Sequence, residues 1–547
     1  MKRICITLVA VLQFVVSYGQ SRIPPQRPKL VVGIVVDQMR IDYLYRYWDK
    51  FEDKGFKKLV NEGSFFKNTN LNYQFTQTAC GHASIYTGAV PSVHGIVSNY
   101  WYTRMKKQKV YCVADPKCNP VGTESPNNNM SPVNLLCNTI GDELRIATQM
   151  KGKVVSISLK DRAAILPAGH TANAAYWYDK GTGKFITSSH YMQALPQWVN
   201  DFNGKKLPDI YLDRLWTPLY PIETYTESYP DSLKYEYGYG ATQTVFPYDL
   251  AFLSKKDKIN RDYEMLLDVP FGNTLLNDFA IATIMGEELG RDNEPDILAV
   301  SYSSTDYMGH RFNPYSPEME DAYLRIDKEI ALLIEFIEKE IGKENVVIFL
   351  TSDHGSSQHA DYMKSLKAQG GKFNPAYAMT LLRSYLNAVY GQGDWVMEYM
   401  SGQIYLNQTL IEDSKLSLRD VQEKTAAFMI QFNGVANAMS AYSMVNTPFT
   451  DGIFKMMQNS FSQERSGDVF INLRPGWVEE SSIYGVDHNT PYTYDTHVPL
   501  IWYGWKIPRK TIYEKAFITD IAPTLSFILN ISFPNGSSGN VLTQIFN

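Results

Sequence analysis

The chain has 547 residues, a formal net charge of −5, 44% hydrophobic and 20% charged side chains. That length accommodates a large buried core, either as one α/β body with insertions or as several domains. The balance of charge excludes the basic surplus of a nucleic-acid binder, and the composition is that of a globular protein.

The N-terminus reads as an export signal. Lys2-Arg3 open the chain, Ile4 to Val16 form a short apolar run, and Ser17-Tyr18-Gly19 place cleavage before Gln20. The run is too short to span a bilayer and no other stretch is long enough, so no stable membrane anchor is expected. Cys5 lies early in the run, which argues against a lipid anchor. Residues 1–19 are thus read as a signal peptide, and the mature chain as secreted or periplasmic. Cys80, Cys112, Cys118 and Cys137 remain. Their three pairings stay open, with Cys112 and Cys118 the easiest pair by separation. No CxxC knuckle is present, so metals are expected to be held without thiolates.

Consecutive Val, Ile and Leu mark buried parallel strands at Leu30–Val36, Val154–Leu159, Ile297–Tyr302, Val346–Leu350 and Val498–Tyr503. Between them, Ile326, Ile330, Leu333 and Ile337 share one helix face from Tyr323 onward, and Thr274–Leu289 reads as a helix with Asn273 as N-cap. Strands alternating with helices predict an α/β fold with a mostly parallel central sheet flanked by helices. Residues from about 171 to 270 and from about 356 to 484 break the rhythm. They are expected as insertions that cap a single domain spanning 20–547.

Polar residues cluster where a parallel sheet binds ligands, beyond the carboxyl ends of its strands. Asp37 follows the first strand, Lys160 ends the second, Asp306 follows the third, and Asp353-His354 follow the fourth. Asp306 and His310 are four apart, so a helical turn lets them share a cation. Oxygen and nitrogen donors without thiolate suit zinc, with manganese or another divalent ion as alternatives. Thr78 precedes a helical stretch, whose free N–H groups would stabilise an anion there. The same position also suits a plain N-cap at Thr78 or Thr76.

The segments Val35-Val36-Asp37-Gln38, Thr78-Ala-Cys-Gly-His82, Asn99-Tyr-Trp101, Ser158-Leu-Lys-Asp-Arg162, Ser304-Thr-Asp-Tyr-Met-Gly-His310, Thr351-Ser-Asp-His-Gly355 and Asp487-His-Asn-Thr-Pro491 resemble, in order and number, the motifs of the alkaline phosphatase superfamily. Within it the chain looks most like the monomeric, phosphate-irrepressible bacterial enzymes. The resemblance covers Leu30 to about Leu500. It implies two Zn²⁺ ions: one held by Asp37, Asp353 and His354 with Thr78 as reacting ligand, the other by Asp306, His310 and His488, with His497 as the alternative to His488. It further implies that Asn99, Lys160 and Arg162 contact phosphoryl oxygens, that Thr78 forms a phosphothreonine intermediate, and that small phosphate monoesters are the substrates. Lys160 and Arg162, two apart at a strand end, are expected to project the same way. The Cys-x-Pro-Ser-Arg motif of sulfatases is absent, because Cys80 is followed by Gly-His-Ala-Ser. Two rival readings remain: a phosphodiesterase or nucleotide pyrophosphatase of the same fold, and an exported zinc- or phosphate-binding protein without turnover.

Overall fold

The computed structural model describes residues 26–240, 243–256, 260–480 and 485–546. The expected export signal and its cleavage point lie outside them.

In chain order, the elements that position the site are β1 (Leu30–Val36), β2 (Ser64–Asn70), α1 (Thr78–Thr87), β3 (Val154–Ser158), α2 (Asp161–Ala168), β4 (Ala174–Asp179), β5 (Lys184–Ser188), α3 (Phe271–Gly286), β6 (Asp296–Tyr302), α4 (Ser304–Phe312), α5 (Pro317–Glu340) and β7 (Val346–Thr351). After them come β8 (Val396–Met400), β9 (Gln403–Leu406), β10 (Val435–Ser440), β11 (Val469–Leu473) and β12 (His497–Gly504). The main sheet runs β2-β12-β7-β1-β6-β3-β4-β5, with short strands at each edge. The five strands from β7 to β4 are parallel.

All seven residues of β1 are buried, as the central strand of a covered sheet requires. Leu30, Val32, Ile34 and Val36 enter the core layer on one face, and Val31 and Val35 the layer on the other, the two-residue alternation of a strand. At Gly33 a Cβ would meet the Tyr86 hydroxyl at 2.4 Å and the Phe349 ring at 2.5 Å. Glycine therefore lets α1 approach the sheet. On the opposite face α5 starts at Pro317, capped by the Ser316 side chain on Met319 N–H.

Four expectations need correction. The terminal strand β12 is antiparallel to both β7 and β2. An apolar run reads the same in either direction, so its composition carries no orientation. Helix α3 begins at Phe271, with Pro270 as N-cap. Asn273 lies inside it, buried, and its Oδ1 accepts the Ser304 N–H at 3.1 Å. The stretch beyond residue 171 supplies β4 and β5 to the main sheet, so an insertion there starts after Ser188. The four thiols are free and buried. Cys112 sits in the apolar core while Cys118 Sγ donates to Asp115 Oδ2 at 3.3 Å, which separates the expected pair.

Residues 356–484 carry a second, antiparallel sheet in the order β8-β9-β11-β10. It has a core of its own, in which Ile404, Val469 and Ile471 pack with Leu382 and Val421.

Candidate metal centre

The loops leaving β1, β6 and β7 converge with two others. Asp37 directly follows β1 and is wholly buried. Asp353 and His354, both buried, follow β7 on a turn that Ser352 fixes: its hydroxyl donates to His354 O at 2.7 Å and accepts the Met39 N–H at 2.8 Å. His354 Nε2 lies 3.6 Å from Asp37 Oδ1 and 3.6 Å from Asp353 Oδ2. A second trio forms where Asp306 and His310, one turn apart on α4, meet His488. Asp306 Oδ1 is 3.3 Å from His310 Nε2 and 3.7 Å from His488 Nε2. In each trio the donor atoms lie within 4.8 Å of one another. His497 is not part of either: its Nε2 pairs with the Lys67 carbonyl at 2.9 Å.

Two observations fit these trios to cations. Asp37 Oδ1, Asp353 Oδ2 and His354 Nε2 point at one another, buried and without hydrogen-bond partners. And each histidine is oriented by its other nitrogen: Nδ1 of His354 pairs with Gly355 O at 2.9 Å, that of His310 with Val486 O at 3.1 Å, and that of His488 with Thr76 O at 2.6 Å. Donation from Nδ1 to a carbonyl leaves Nε2 as a lone pair facing the trio, the usual outer support of a metal-binding imidazole. Burial lowers the pKa of His354 and, together with the neighbouring His354 and His310, lowers that of His488 further, which keeps both rings neutral. For His310 burial acts the same way, but Asp306 outweighs it and raises the value to about 9.

Charge is unbalanced here. Lys160 Nζ, buried, donates to Asp37 Oδ2 at 2.6 Å and to Asp306 Oδ2 at 2.5 Å. One ammonium thus faces three buried carboxylates. Burial would raise Asp306, but Lys160 and the two histidines hold it well below the ordinary range. Asp37 is pushed well above it, by burial and then by the Asp353 charge.

Thr78 is the first residue of α1 and 1% exposed. Gln77 is the N-cap, in extended conformation and without a side-chain cap bond. Its Oε1 instead accepts Ser98 Oγ–H at 2.8 Å and Asn99 N–H at 2.7 Å. Asn99 Oδ1 then takes the Ala79 N–H at 3.0 Å, which brings this side chain to the helix start. Thr76 ties down the other flank, accepting the N–H groups of Asn489 and Thr490. Lys160 Nζ is 3.5 Å from Thr78 Oγ1.

Lys160 and Arg162 do not project alike. Strand β3 ends at Ser158, Lys160 is the N-cap of α2, and Arg162 lies in its first turn. Lys160 inserts between carboxylates while Arg162 donates to the Tyr111 hydroxyl at 3.2 Å. Both line a cavity of about 850 Å³ with Tyr100, Trp177 and Tyr307. A smaller cavity of about 210 Å³ opens over His310 and His488, lined also by Asn99, Leu473 and Trp477.

Two residues with no role predicted from sequence belong to this centre. Gln38, at φ 64°, donates its backbone N–H to Asp353 Oδ1 at 3.2 Å and its Nε2 to Asp306 Oδ1 at 2.7 Å, linking the two trios. His82 lies 3.4 Å from Asp353 Oδ2 and pairs with Thr78 O and Ser301 Oγ. A non-glycine in the left-handed region is not readable from residue type, and His82 is separated from its partners by 219 and more residues in all but one case. Cys80 is buried, its thiol pushed far up by burial, and it donates to Ile96 O at 3.3 Å, so it is a packing residue.

Comparison with known proteins shows the family to which the chain belongs. The family described as type I phosphodiesterase / nucleotide pyrophosphatase matches residues 31–497. The alkaline phosphatase PhoV of Synechococcus elongatus is 42% identical over 95% of this chain and 93% of its own. The alkaline phosphatase PafA of Elizabethkingia meningoseptica is 40% identical over 95% and 94%. A crystal structure of wild-type PafA superposes with a TM-score of 0.90 over 95% of this chain and 99% of that one. A protein of Myroides odoratus named a calcium-transporting ATPase is 40% identical over 95% of each chain. Among the described residues no helix is long and apolar enough to cross a membrane.

Proposed function

The chain belongs to the type I phosphodiesterase / nucleotide pyrophosphatase family within the alkaline phosphatase superfamily, and we propose that it is an exported, monomeric phosphate monoester hydrolase that uses two zinc ions and Thr78 as nucleophile. The observation that carries this reading is the placement of Thr78 Oγ1 3.5 Å from a buried ammonium that already bridges Asp37 and Asp306. Mixed imidazole and carboxylate trios suit zinc. Asp37, Asp353 and His354 would hold one ion, and Asp306, His310 and His488 the other. Zinc in such positions lowers the pKa of a hydroxyl and offsets the charge of the reacting phosphoryl group.

The chain's own groups do the rest. Thr78 Oγ gives up its proton and forms a bond to phosphorus as the bond from phosphorus to the alcohol oxygen breaks; that oxygen takes up a proton from solvent and leaves as the alcohol, with phosphothreonine behind. Water then attacks phosphorus, the Thr78 Oγ–P bond breaks, a proton given up by that water restores the Thr78 hydroxyl by way of solvent, and phosphate departs. A phosphoryl group on Thr78 Oγ1 meets the Lys160 ammonium. Asn99, whose Oδ1 is engaged by Ala79 N–H, offers its Nδ2 donors to a phosphoryl oxygen. Arg162 supplies a second positive charge from the side of the larger cavity. These groups preorganise the site for charge on the transferred phosphoryl, where a loose transition state is governed by positioning and electrostatics.

Two added cations match a dianionic monoester better than a monoanionic diester, so diester cleavage is read as a secondary activity. Residues 356–484 are read as the cap of this site, since Ile471, Leu473 and Trp477 line the cavity over His310 and His488. Small phosphate esters fit that enclosure. Substituting Thr78 with alanine tests the reading. Monoester turnover should fall on the order of 10³-fold or more, with two zinc ions per chain still present by elemental analysis. Turnover near the wild-type rate in Thr78→Ala would rule out the nucleophile, and zinc-loaded wild type without turnover would favour a binding protein.

A further inference from the structure

His82 lies one turn after Thr78 on α1 and is wholly buried. Its Nδ1 is 2.9 Å from the Thr78 carbonyl oxygen and 3.4 Å from Asp353 Oδ2. A carbonyl and an ionised carboxylate only accept, so Nδ1 carries the ring proton. Nε2 meets Ser301 Oγ at 2.8 Å, and a hydroxyl either donates or accepts. The ring thus has one demanding side, towards Thr78 and Asp353, and one permissive side, towards β6. Asp353 is also held unequally. Its Oδ1 accepts the N–H groups of Gln38 at 3.2 Å and His354 at 3.1 Å. Its Oδ2 is buried without a hydrogen bond and faces His354 Nε2 at 3.6 Å. Oδ2 is therefore the oxygen left for a cation, and the Nδ1–H of His82 approaches it from α1. Beneath the ring, Ser158 Oγ donates to Ser301 O at 3.0 Å and accepts the Lys160 N–H at 3.1 Å. One buried polar chain thus runs from the Lys160 backbone by way of β3 and β6 to His82.

We propose that His82 is a positioning residue whose Nδ1–H, shared between the Thr78 carbonyl and Asp353 Oδ2, fixes the nucleophile against the carboxylate of the neighbouring metal trio. The inference rests on the roles proposed for Thr78 and for Asp37, Asp353 and His354. Burying an imidazole is unfavourable unless its polar atoms are satisfied, and apolar packing alone gives no reason for one at this place in α1. The helix start has no side-chain cap of its own, because the amide of Gln77 is engaged by Ser98 and Asn99. The Thr78 carbonyl, held by His82, therefore sets where the residue sits and from where Oγ1 leaves the helix. A displacement of about 1 Å at such a point costs on the order of 10²-fold in rate. The same N–H faces the ligand oxygen, so a displaced ring disturbs Thr78 and Asp353 together.

Asparagine and glutamine separate this role from packing. In His82→Asn an amide nitrogen comes to the place of Nδ1, two bonds from Cβ. In His82→Gln it reaches the place of Nε2, beside Ser301, and glutamine is the closer match to histidine in volume. On the full-length protein, zinc affinity is measured by competition with a chelator, monoester turnover as kcat and KM, and Tm by calorimetry. His82→Gln should hold one of the two zinc ions about 10- to 100-fold more weakly. At saturating zinc it should lose on the order of 10²-fold in kcat, with KM changed far less. His82→Asn should recover most of both, although its Tm is the lower of the two because it leaves a cavity. Ser301→Ala, which removes only the permissive partner, should stay close to wild type in zinc affinity and kcat. Glutamine ranking at or above asparagine in zinc affinity and kcat, or neither variant differing from wild type, would make His82 a packing residue and overturn the proposal. So would a His82→Asn chain that does not fold, or a Ser301→Ala chain as impaired as His82→Gln. Zinc-loaded wild type without turnover would defeat the reading of Thr78 as nucleophile instead, and the order of zinc affinities would then decide the role of His82 at Asp353.

Discussion

At the residue scale, Lys160 and Arg162 reach the same site by different routes. Lys160 lies between Asp37 and Asp306, one from each candidate metal trio, whereas Arg162 approaches from the aromatic cavity through Tyr111. Together they add two positive charges beyond any bound metal. A monoester presents three non-bridging oxygens and close to two negative charges, a diester one oxygen and one charge fewer. Lys160→Ala/Arg162→Ala should therefore lower kcat/KM for a monoester more than tenfold beyond the loss for a diester with the same leaving group, a difference of about 1.4 kcal/mol in transition-state stabilisation. Equal losses on both substrates would mean that the pair only holds the centre together. The meeting of Asp37, Asp306, His310, Asp353 and His354 was readable because each follows a strand or sits one helical turn from such a residue. Which of His488 and His497 lies beside Asp306 was not, since both lie in the stretch before the last strand, and only the fold brings His488 to within 3.7 Å. The bridging position of Lys160 was equally hidden, because it depends on two residues 123 and 146 positions away.

At the scale of elements, the site depends on how closely α1 packs against the turn after β7. A Cβ on Gly81 would lie 2.4 Å from the Asp353 carbonyl oxygen and 2.5 Å from its Cβ. Neither can move aside without moving the ligand, since Asp353 Oδ1 accepts the N–H groups of Gln38 and His354. Gly81→Ala should cost about 1–3 kcal/mol, the range of an overpacked core, and lower metal content together with activity. Gly204→Ala is the matched control: nothing lies within 4 Å of the added methyl, so Tm should stay constant or rise slightly. Normal metal content in a stable Gly81→Ala protein would show that α1 can shift without disturbing Asp353. The apolar strands β1, β3, β6 and β7 were legible because both their faces are buried, which leaves continuous Val, Ile and Leu. Strand β4, Ala-Ala-Tyr-Trp-Tyr-Asp, is equally buried but lacks that signature, because its large aromatic side chains fill space between layers as well as they would in a loop or cap.

At the scale of the whole molecule, the centre is where distant parts of the chain meet. Its candidate ligands come from residues 37, 306–310, 353–354 and 488, carried by the end of β1, α4, the turn after β7 and the loop before β12. Asp37 and Asp353 repel one another at this junction, and burial adds to the cost, so Asp37 is pushed well above the ordinary carboxylate range. Folding must therefore assemble mutually repelling groups at the point that joins the sheet to its flanking segments. Ions that bind only the folded chain offset this by mass action, by about 4 kcal/mol when free metal is a thousandfold above its Kd. Removing zinc by chelation and dialysis should abolish turnover and lower Tm by at least a few degrees. Adding back zinc should restore both. Asp37→Ala, Asp306→Ala and Asp353→Ala should each bind less zinc, because a lost ligand weakens a closely arranged trio. They should also show a smaller zinc-dependent rise in Tm than wild type, and the metal-free Asp306→Ala form should lose stability as well, because Lys160 loses a buried partner. Two full zinc ions in all three variants, or a Tm of wild type indifferent to zinc, would mean that the junction is held by packing and by Lys160 alone.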